Sequence, residues 1–309
     1  MPQRSDHDRD RMPGSLTRRE FVVTAAAGVA LTSSVAVPLA ARAMPAPTGA
    51  APPDPQTMIR LLNGSLDATQ RSAAVFPFDD PRRTVVAADW RISEARIDRL
   101  FDAGQQRLIR RLFLALHGPG YEAGALDQVE RDNPEAGLNG CAVALFEPKA
   151  GDRLEFVLSG RHVTCRGGGA PDSMGGPVFY GDGAPPGRGV YARQWRCGAE
   201  LFEAIGSDAA ARARSASAPS GVGRVRLGAS GVEAVHRALE VMVEPLAEGA
   251  PTVALRRRAA RHDGHLHLRF FRDMDVGNSG RTDSWHVEGP GLDWYFRGRP
   301  HLHTWLRLA

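Results

Sequence analysis

Residues 288–305 read EGPGLDWYFRGRPHLHTW and show the pattern of a strand, a tight turn and a second strand. Across 292–297, apolar and polar side chains alternate with the period of two that is typical of a half-buried strand. Residues 298–300, Gly-Arg-Pro, supply turn chemistry. In the strand that follows, His301 and His303 fall on one face, because side chains i and i+2 of a strand point the same way. The stretch predicts an antiparallel hairpin that presents two imidazoles side by side.

The N-terminus has the features of a targeting segment. Residues 17–21, Thr-Arg-Arg-Glu-Phe, match the twin-arginine export pattern, and no charged residue occurs in 21–41. Residues 41–43, Ala-Arg-Ala, form a cleavage site of the A-x-A type. We therefore predict that 1–43 is a twin-arginine signal peptide, that the export machinery is a partner, and that the mature protein is periplasmic or secreted without a stable membrane anchor. The alternative is that the uncharged stretch stays as an anchor.

The rest of the chain is predicted to be a Pro/Ala-rich leader at 44–56 and a single α+β domain at 57–309. Helices are indicated by apolar residues at helical spacing, strands by short apolar or alternating runs, and a functional loop by a long segment rich in Gly and Pro. The predicted elements are, in order, helices at 58–71 and 92–117, a strand at 142–146, a hairpin at 155–166, the Gly-rich loop at 167–189, helices at 194–213 and 231–246, a strand at 266–271, and the C-terminal hairpin.

The two hairpins resemble each other in sequence. Residues 155–162, EFVLSGRH, and 293–301, DWYFRGRPH, share the order acid, aromatic, apolar, apolar, any residue, Gly, Arg and His. Two predicted helices and a short strand precede each hairpin, so the chain is predicted to contain an internal duplication, each half having two helices and a small antiparallel sheet. His162 and His301 would then be equivalent positions about a pseudo-twofold axis. The predicted repeats span about residues 57–170 and 190–309.

Four motifs resemble the domain-of-unknown-function 3500 family of exported bacterial proteins. They are FPFDDPRR at 76–83, SGRHVT at 159–164, GGPVFYG at 175–181, and the C-terminal EGP…WYFRGxPHxH at 288–303. The resemblance covers essentially all of the chain after the signal. It implies export and a single family domain, and it implies no known activity. In many members of the family the glycine loop ends in His where this chain has Asp182, so the resemblance does not imply a four-histidine site here.

A metal site is the first functional hypothesis. His301 and His303 can chelate one ion, and His162 from the other hairpin would complete a three-histidine site with an open position for water or substrate. Glu288 and Asp182 are possible additional ligands. Imidazole ligands suit a transition metal such as Zn, Cu or Fe, and the protein could be a metal-dependent enzyme of unknown substrate. The alternative is that the histidines only hydrogen-bond within a polar strand face.

A second hypothesis is a non-catalytic periplasmic protein that binds a small polar or anionic ligand. Its binding face would combine aromatic and arginine side chains from both hairpins and from the glycine loop. The predicted contact residues are Tyr180, Arg161, Arg299 and Trp305.

Other classes of function have little support in the sequence. About half of the formal net charge of +4 lies in residues 1–43, and no basic run is interleaved with aromatic residues, so nucleic-acid binding is not expected. No G-x-S-x-G motif or phosphate-binding loop occurs. Residues 273–284 resemble a calcium loop poorly, because the sixth position is Asn and the twelfth is Ser. The spacing of Cys141, Cys165 and Cys197 leaves their pairing open.

Overall fold

The computed structural model describes residues 54–148, 154–169, 178–204, 214–215, 224–247, 265–271 and 284–308. The predicted signal peptide at 1–43, residues 44–53 of the leader, and residues 170–177 of the predicted glycine loop lie outside these residues. Among the described residues, no helix combines the length and apolar character needed to span a membrane.

The described residues form seven α-helices, two short 3-10 helices (Pro81–Thr84 and Gly137–Gly140) and eleven strands, so the predicted α+β class is confirmed. The helices are α1 Pro55–Gly64, α2 Ala68–Ala74, α3 Ile97–Leu100, α4 Ala103–Ala115, α5 Glu122–Asp132, α6 Ala192–Ala204 and α7 Ala229–Val243. The strands are β1 Val75–Pro77, β2 Ala142–Glu147, β3 Glu155–Gly160, β4 Val163–Gly168, β5 Val178–Asp182, β6 Arg214–Ser215, β7 Val225–Arg226, β8 His267–Phe271, β9 Ser284–Gly289, β10 Leu292–Arg297 and β11 Leu302–Leu308.

The two helices predicted in the first half are each divided in the structure. Asp67 starts α2 with a capping box: its side chain accepts a hydrogen bond from the backbone of Gln70, whose side chain accepts one from the backbone of Asp67. Asp102 and Gln105 make the same reciprocal pair at the start of α4. Such a box satisfies backbone donors that an uninterrupted helix would have used, so it fixes a new helix start. Apolar periodicity alone did not reveal these breaks.

All the strands belong to one mixed sheet, in the order β1-β2-β3-β4-β5-β11-β10-β9-β8-β6, with β7 also pairing with β8. Both predicted hairpins are present: β3 pairs antiparallel with β4, and β10 pairs antiparallel with β11. The pairs at the two edges, β1 with β2 and β6 with β8, are parallel. Strands β4 and β11 both pair antiparallel with β5, so the two hairpins meet in the middle of the sheet.

The two faces of the sheet are covered differently. On one face, the helices bury two apolar clusters, one around Phe113 and Phe156 and the other around Trp294 and Met242. On the other face, the irregular segment 76–92 covers two smaller clusters. Side chains of paired residues in an antiparallel ladder share a face, so the register shows which face each residue occupies. By this register His303 belongs to the face opposite the helices.

The strand order does not support the predicted equivalence of the two hairpins, and internal duplication is not shown. Strands β4 and β11 flank β5 and run in the same direction. A twofold rotation that exchanged them would therefore have its axis along β5. Such a rotation would also turn one face of the sheet into the other. The predicted repeat matches Thr164 with His303, and this rotation would put them on opposite faces. Instead they lie on the same face, because Thr164 pairs with Phe179 and His303 pairs with Gly181, two positions further along β5. The two hairpins are therefore not related as the sequence comparison predicted.

Candidate metal centre

The structure brings the three predicted histidines together at one end of the central strands. His162 lies in the turn before β4, His301 directly precedes β11, and His303 is the second residue of β11. The ring centroid of His162 lies 5.0 Å from that of His301 and 4.9 Å from that of His303. The ring centroids of His301 and His303 are 4.7 Å apart. His162 and His303 are both buried. The cluster forms because β4 and β11 are both partners of β5.

Gly181 of β5 lies between the two hairpins and allows the imidazoles to approach each other. Its N–H donates to the carbonyl oxygen of His162 at 2.9 Å, and its register partner on β11 is His303. A Cβ at this position would lie 3.1 Å from Cδ2 of His303, 3.3 Å from Cδ2 of His162 and 2.7 Å from the carbonyl oxygen of Leu302. Only glycine therefore leaves room for both rings.

We expect Gly181→Ala to lower the free energy of unfolding by about 1–3 kcal/mol, the usual cost of adding a methyl group to a packed site. The backbone carbonyl that the methyl would meet cannot turn aside as a flexible side chain could. Urea denaturation of the folded protein measures the effect. Gly64→Ala is the control, because nothing lies within 4 Å of a Cβ there. Equal stability of Gly181→Ala and the unmodified protein would contradict this packing.

The ring nitrogens of the cluster are close enough to serve one metal ion after small movements. One potential ligand atom from each of His162, His301 and His303 lies within 4.8 Å of the other two, and Nε2 of His301 is 2.8 Å from Nε2 of His303. A tetrahedral site with bonds of about 2.0–2.1 Å has nitrogen–nitrogen edges of about 3.3 Å. Nε2 of His162 is buried and has no hydrogen-bond partner among the described residues. This group could hold a metal ion.

Asp132, the last residue of α5, orients His162. Its Oδ2 contacts Nδ1 of His162, and the side-chain amide of Gln128 donates to the same oxygen. A carboxylate on Nδ1 holds the proton there and leaves the Nε2 lone pair for a ligand, as in carboxylate–histidine–metal arrangements. Sequence reasoning missed this residue. The available signal was its position, since a carboxylate at a helix C-terminus is electrostatically unfavourable and suggests another partner.

Burial keeps two of the imidazoles uncharged. Desolvation, followed by the influence of His162 and Arg297, lowers the pKa of His301 to about 4. Desolvation and then Arg297 hold the pKa of His303 well below its usual value. Both rings are neutral at pH 7, which is the form that binds metal.

Arg297, the last residue of β10, lies beside His303. Its side chain is fully buried, and desolvation lowers its pKa to about 10. One of its terminal nitrogens, Nη2, is 2.8 Å from Nδ1 of His303 and 3.2 Å from Nε2. Because a guanidinium can only donate, the shorter contact is a hydrogen bond to Nδ1 in the tautomer of His303 that carries its proton on Nε2. For His303 to be a metal ligand through Nε2, that nitrogen must carry no proton and Arg297 must turn away.

The two predicted additional ligands lie elsewhere, and both expectations are corrected. Asp182 pairs with Leu302, so its side chain is on the helix-covered face rather than on the face of His303. There its carboxylate accepts hydrogen bonds from the backbone of Ala184 at 2.9 Å and Val190 at 3.0 Å. Glu288 lies near the far end of β9.

The carboxylate of Glu288 makes ion pairs there with Arg224 at 2.7 Å and Arg269 at 3.1 Å. Glu288 therefore neutralises two arginines at this end of the sheet and does not contact the histidines of the cluster. Sequence spacing could not show this. The start of β9, at Ser284, pairs with Arg297 near the cluster, whereas Glu288 pairs with Asp293 further along the strand.

The predicted aromatic and arginine binding face is not formed as a unit. Tyr180 lies on the helix-covered face and donates to the carbonyl oxygen of Met242 at 2.8 Å. Trp305 is buried on the opposite face, stacked on Phe179 at 5.0 Å. Tyr180 pairs with Thr304, and Trp305 is the next residue of β11, so its side chain points to the opposite face of the sheet. The two aromatic rings therefore cannot contact one ligand. Of the two arginines, Arg299 is half-buried, whereas Arg161 is exposed beside the cluster.

A cavity of about 460 Å³ opens next to the cluster. Both His162 and Asp132 contribute to its wall, and so does Arg161, the one predicted contact residue that lies at it. His301 and His303 are not among the residues that line it. A ligand in this cavity would therefore meet the cluster at His162.

The three cysteines are free thiols and do not add a nucleophile to the site. Cys141 also borders the cavity, but burial raises its pKa to about 12. Burial raises the pKa of Cys165 to about 12 as well, and that of Cys197 to about 11. These thiols stay protonated at neutral pH, and a protonated thiol is a poor nucleophile.

Comparison of the chain with protein-family models, with curated proteins and with solved structures finds no match. The resemblance to the domain-of-unknown-function 3500 family thus stays a prediction from the four motifs, and the function has to be argued from the site.

Proposed function

We propose that the protein is a metalloprotein that binds one transition-metal ion through His162, His301 and His303. The observation that carries the proposal is the convergence of three imidazoles from two separate hairpins. Behind this cluster, Asp132 fixes the orientation of His162, and the buried Nε2 of that ring lacks a partner among the described residues. Zinc, copper and iron all accept imidazole ligands, so the donor set supports a metal of this group.

Three protein ligands leave a position open on a four-coordinate ion, which is the arrangement of catalytic rather than structural sites. The nearby cation of Arg297 would weaken binding of the bare metal ion and would favour an anionic group at the open position. Of the three histidines, His162 lines the adjacent cavity, so such a group would approach the cluster from the side of His162. We therefore propose a metal-dependent enzyme whose substrate or activated water occupies that position.

The experiment that tests this proposal is metal analysis of protein that was exported by living cells and purified without a chelator. The proposal requires about one equivalent of a single transition metal per chain. Less than about a tenth of an equivalent, in protein that is folded and that does not take up Zn, Cu or Fe when they are added, would contradict it.

We expect Asp132→Asn to weaken metal binding about 10- to 100-fold, the usual cost of removing a carboxylate that orients a metal-bound histidine. The amide retains the size of the carboxylate but no longer stabilises the proton on Nδ1 of His162. Competition with a chelator of known affinity measures the change. Asp127→Asn is the matched control, since Asp127 is an exposed aspartate on the same helix. Equal affinities in the two variants would show that Asp132 does not support a ligand.

A second candidate function is a non-catalytic protein that binds a small polar or anionic ligand. The contact between Arg297 and His303 favours it, because this contact and the pair of His301 with His303 provide hydrogen bonds to both rings without any metal. The same metal analysis separates the two functions. A folded protein that never takes up a transition metal would leave this second function in place.

We also propose that the protein is exported through the twin-arginine pathway and acts in the periplasm or outside the cell. The support is the motif at 17–21 and the uncharged stretch after it. Replacing Arg18 and Arg19 together with lysine should leave the protein in the cytoplasm, detected by fractionation and immunoblotting. Normal amounts of the double variant in the periplasm would disprove this route. Arg9 and Arg11, changed together to lysine, provide the control outside the motif.

A further inference from the structure

The cavity beside His162 has a rigid wall built from residues 89–92. The N–H of Asp89 donates to the carbonyl oxygen of Arg161 at 2.8 Å. The indole N–H of Trp90 donates to the hydroxyl of Thr164 at 2.8 Å, and the N–H of Ile92 to the hydroxyl of Ser159 at 2.7 Å. Three successive bonds therefore fasten this segment to the β3–β4 hairpin, and the cavity between them is preformed rather than created by a ligand.

The charges that line the cavity are unusual because they are not paired with each other. Arg91 and Arg161 are exposed, and within the described part of the chain their guanidinium groups make no ion pair. Asp89 is exposed as well and holds a left-handed backbone conformation with φ of 55°. Backbone strain of this kind occurs often at functional sites. Asp132 also lines the cavity, but its Oδ2 already contacts Nδ1 of His162 and accepts a hydrogen bond from Gln128.

We propose that this cavity binds a small hydroxylated carboxylate, with its carboxylate group on Arg91 and Arg161. The two guanidinium groups carry the positive charges of the cavity wall, and an incoming carboxylate would pair with both of them, beside the formal negative charges of Asp89 and Asp132. Guanidinium groups form strong charge-assisted bonds to carboxylates, and Asp89 can accept from hydroxyl groups of the same molecule. The half-buried ring of Trp90 provides an apolar surface for the carbon chain. A volume of about 460 Å³ is within the usual range for a small-molecule site.

This inference goes beyond the proposed metal centre, because the residues that recognise the anion are not metal ligands. It also differs from the binding face predicted from the sequence, which shared only Arg161 with it. A phosphate dianion is disfavoured by the carboxylate of Asp89, and a neutral sugar would not use the two arginines. The class of ligand therefore follows from the two guanidinium groups, which would hold a carboxylate, and from Asp89, which would accept hydrogen bonds from hydroxyl groups.

The test is calorimetric titration of the metal-free mature protein at constant ionic strength with three probes. Gluconate is a hydroxylated monoanion, glucose is its neutral counterpart, and inorganic phosphate is an anion without hydroxylated carbon. We expect saturable binding of gluconate that is stronger than that of either other probe. Arg91→Gln and Arg161→Gln should each weaken gluconate binding about tenfold or more, as expected for loss of a charge-assisted hydrogen bond. Arg99→Gln, at an exposed arginine outside the cavity, should bind as the unmodified protein does.

Four results would overturn the proposal: no binding of gluconate, equal binding of glucose, stronger binding of phosphate, or unchanged gluconate affinity in both arginine variants. The substituted side chains are exposed, so the variants should fold, and equal melting temperatures would verify this. Because the titration uses metal-free protein, its outcome does not depend on whether the metal centre exists. Metal analysis of the same variants should show an unchanged capacity for metal.

Discussion

Replacing His162 and His301 together with alanine is expected to reduce metal affinity on the order of 10⁴-fold. Structural zinc sites with four ligands bind with about 10–16 kcal/mol, so each ligand accounts for roughly 3 kcal/mol and two ligands for roughly 6 kcal/mol. The purified double variant should then contain less than about a tenth of an equivalent of metal. The two rings come from different hairpins, so a loss of affinity this large, worth two ligands rather than one, would indicate that the ion bridges the hairpins.

The chain offers a matched control for this experiment. His265 and His267 form a second His-x-His pair with the same spacing, and they do not belong to the metal-capable group. His265→Ala/His267→Ala should keep one equivalent of metal. Loss of metal in this control but not in the cluster variant would place the ion elsewhere and contradict the proposed centre.

Replacing Glu155 with alanine should lower the free energy of unfolding by about 3–5 kcal/mol, the cost of leaving buried charges without their partner. Its carboxylate pairs with Arg166 at 2.9 Å and with Arg83 at 2.8 Å. The side chains of Glu155 and Arg166 are each only 3% exposed, so water cannot replace the lost partner. Urea denaturation followed by circular dichroism measures the change.

The control is Glu147→Ala, which removes an exposed ion pair at the same end of the β2–β3 pair, where Phe146 is the register partner of Glu155. Glu147 pairs with Arg71 at 2.8 Å, but these side chains are 39% and 40% exposed. Exposed pairs contribute about 0–1 kcal/mol, so this variant should remain within about 1 kcal/mol of the unmodified protein. A cost below about 1 kcal/mol for Glu155→Ala would mean that its ion pairs do not stabilise the fold.

The local elements of the fold were predictable, because each depends on residues close in sequence. The two hairpins and β2 follow from alternation and turn residues, and they are found near the expected positions. The helix breaks before α2 and α4 were missed, although Asp67 and Asp102 are capping residues with Gln three positions later. Looking for this spacing would have placed both breaks.

The strand order was not predictable in the same way, because it depends on contacts between distant parts of the chain. The similarity of 155–162 to 293–301 suggested related hairpins, but similar residue order carries no information about which face of the sheet each hairpin presents. The edge strands β1 and β6, which pair in parallel, have only three and two residues and give no periodic signal. Such short elements form because neighbouring strands are already in place.

The site was predictable only in part, because some of its residues are close in sequence and others meet only through tertiary contacts. The three histidines stand at the ends of predicted strands, and their meeting needs only that the two hairpins be close. Asp182 was misplaced because a shift of one residue along a strand moves a side chain to the other face. Asp132 and Arg297 became part of the site through tertiary contacts. Gly181 carried a usable signal, since a glycine inside a strand often marks a close approach.

The most direct test is a crystal structure of the exported protein, with diffraction data collected at the absorption edge of the metal found by analysis. We predict an anomalous peak about 2.0–2.3 Å from one ring nitrogen each of His162, His301 and His303, with Asp132 still on Nδ1 of His162 and Arg297 turned away from His303. No peak at the cluster, with Arg297 still donating to His303 as it does here, would contradict the metal centre.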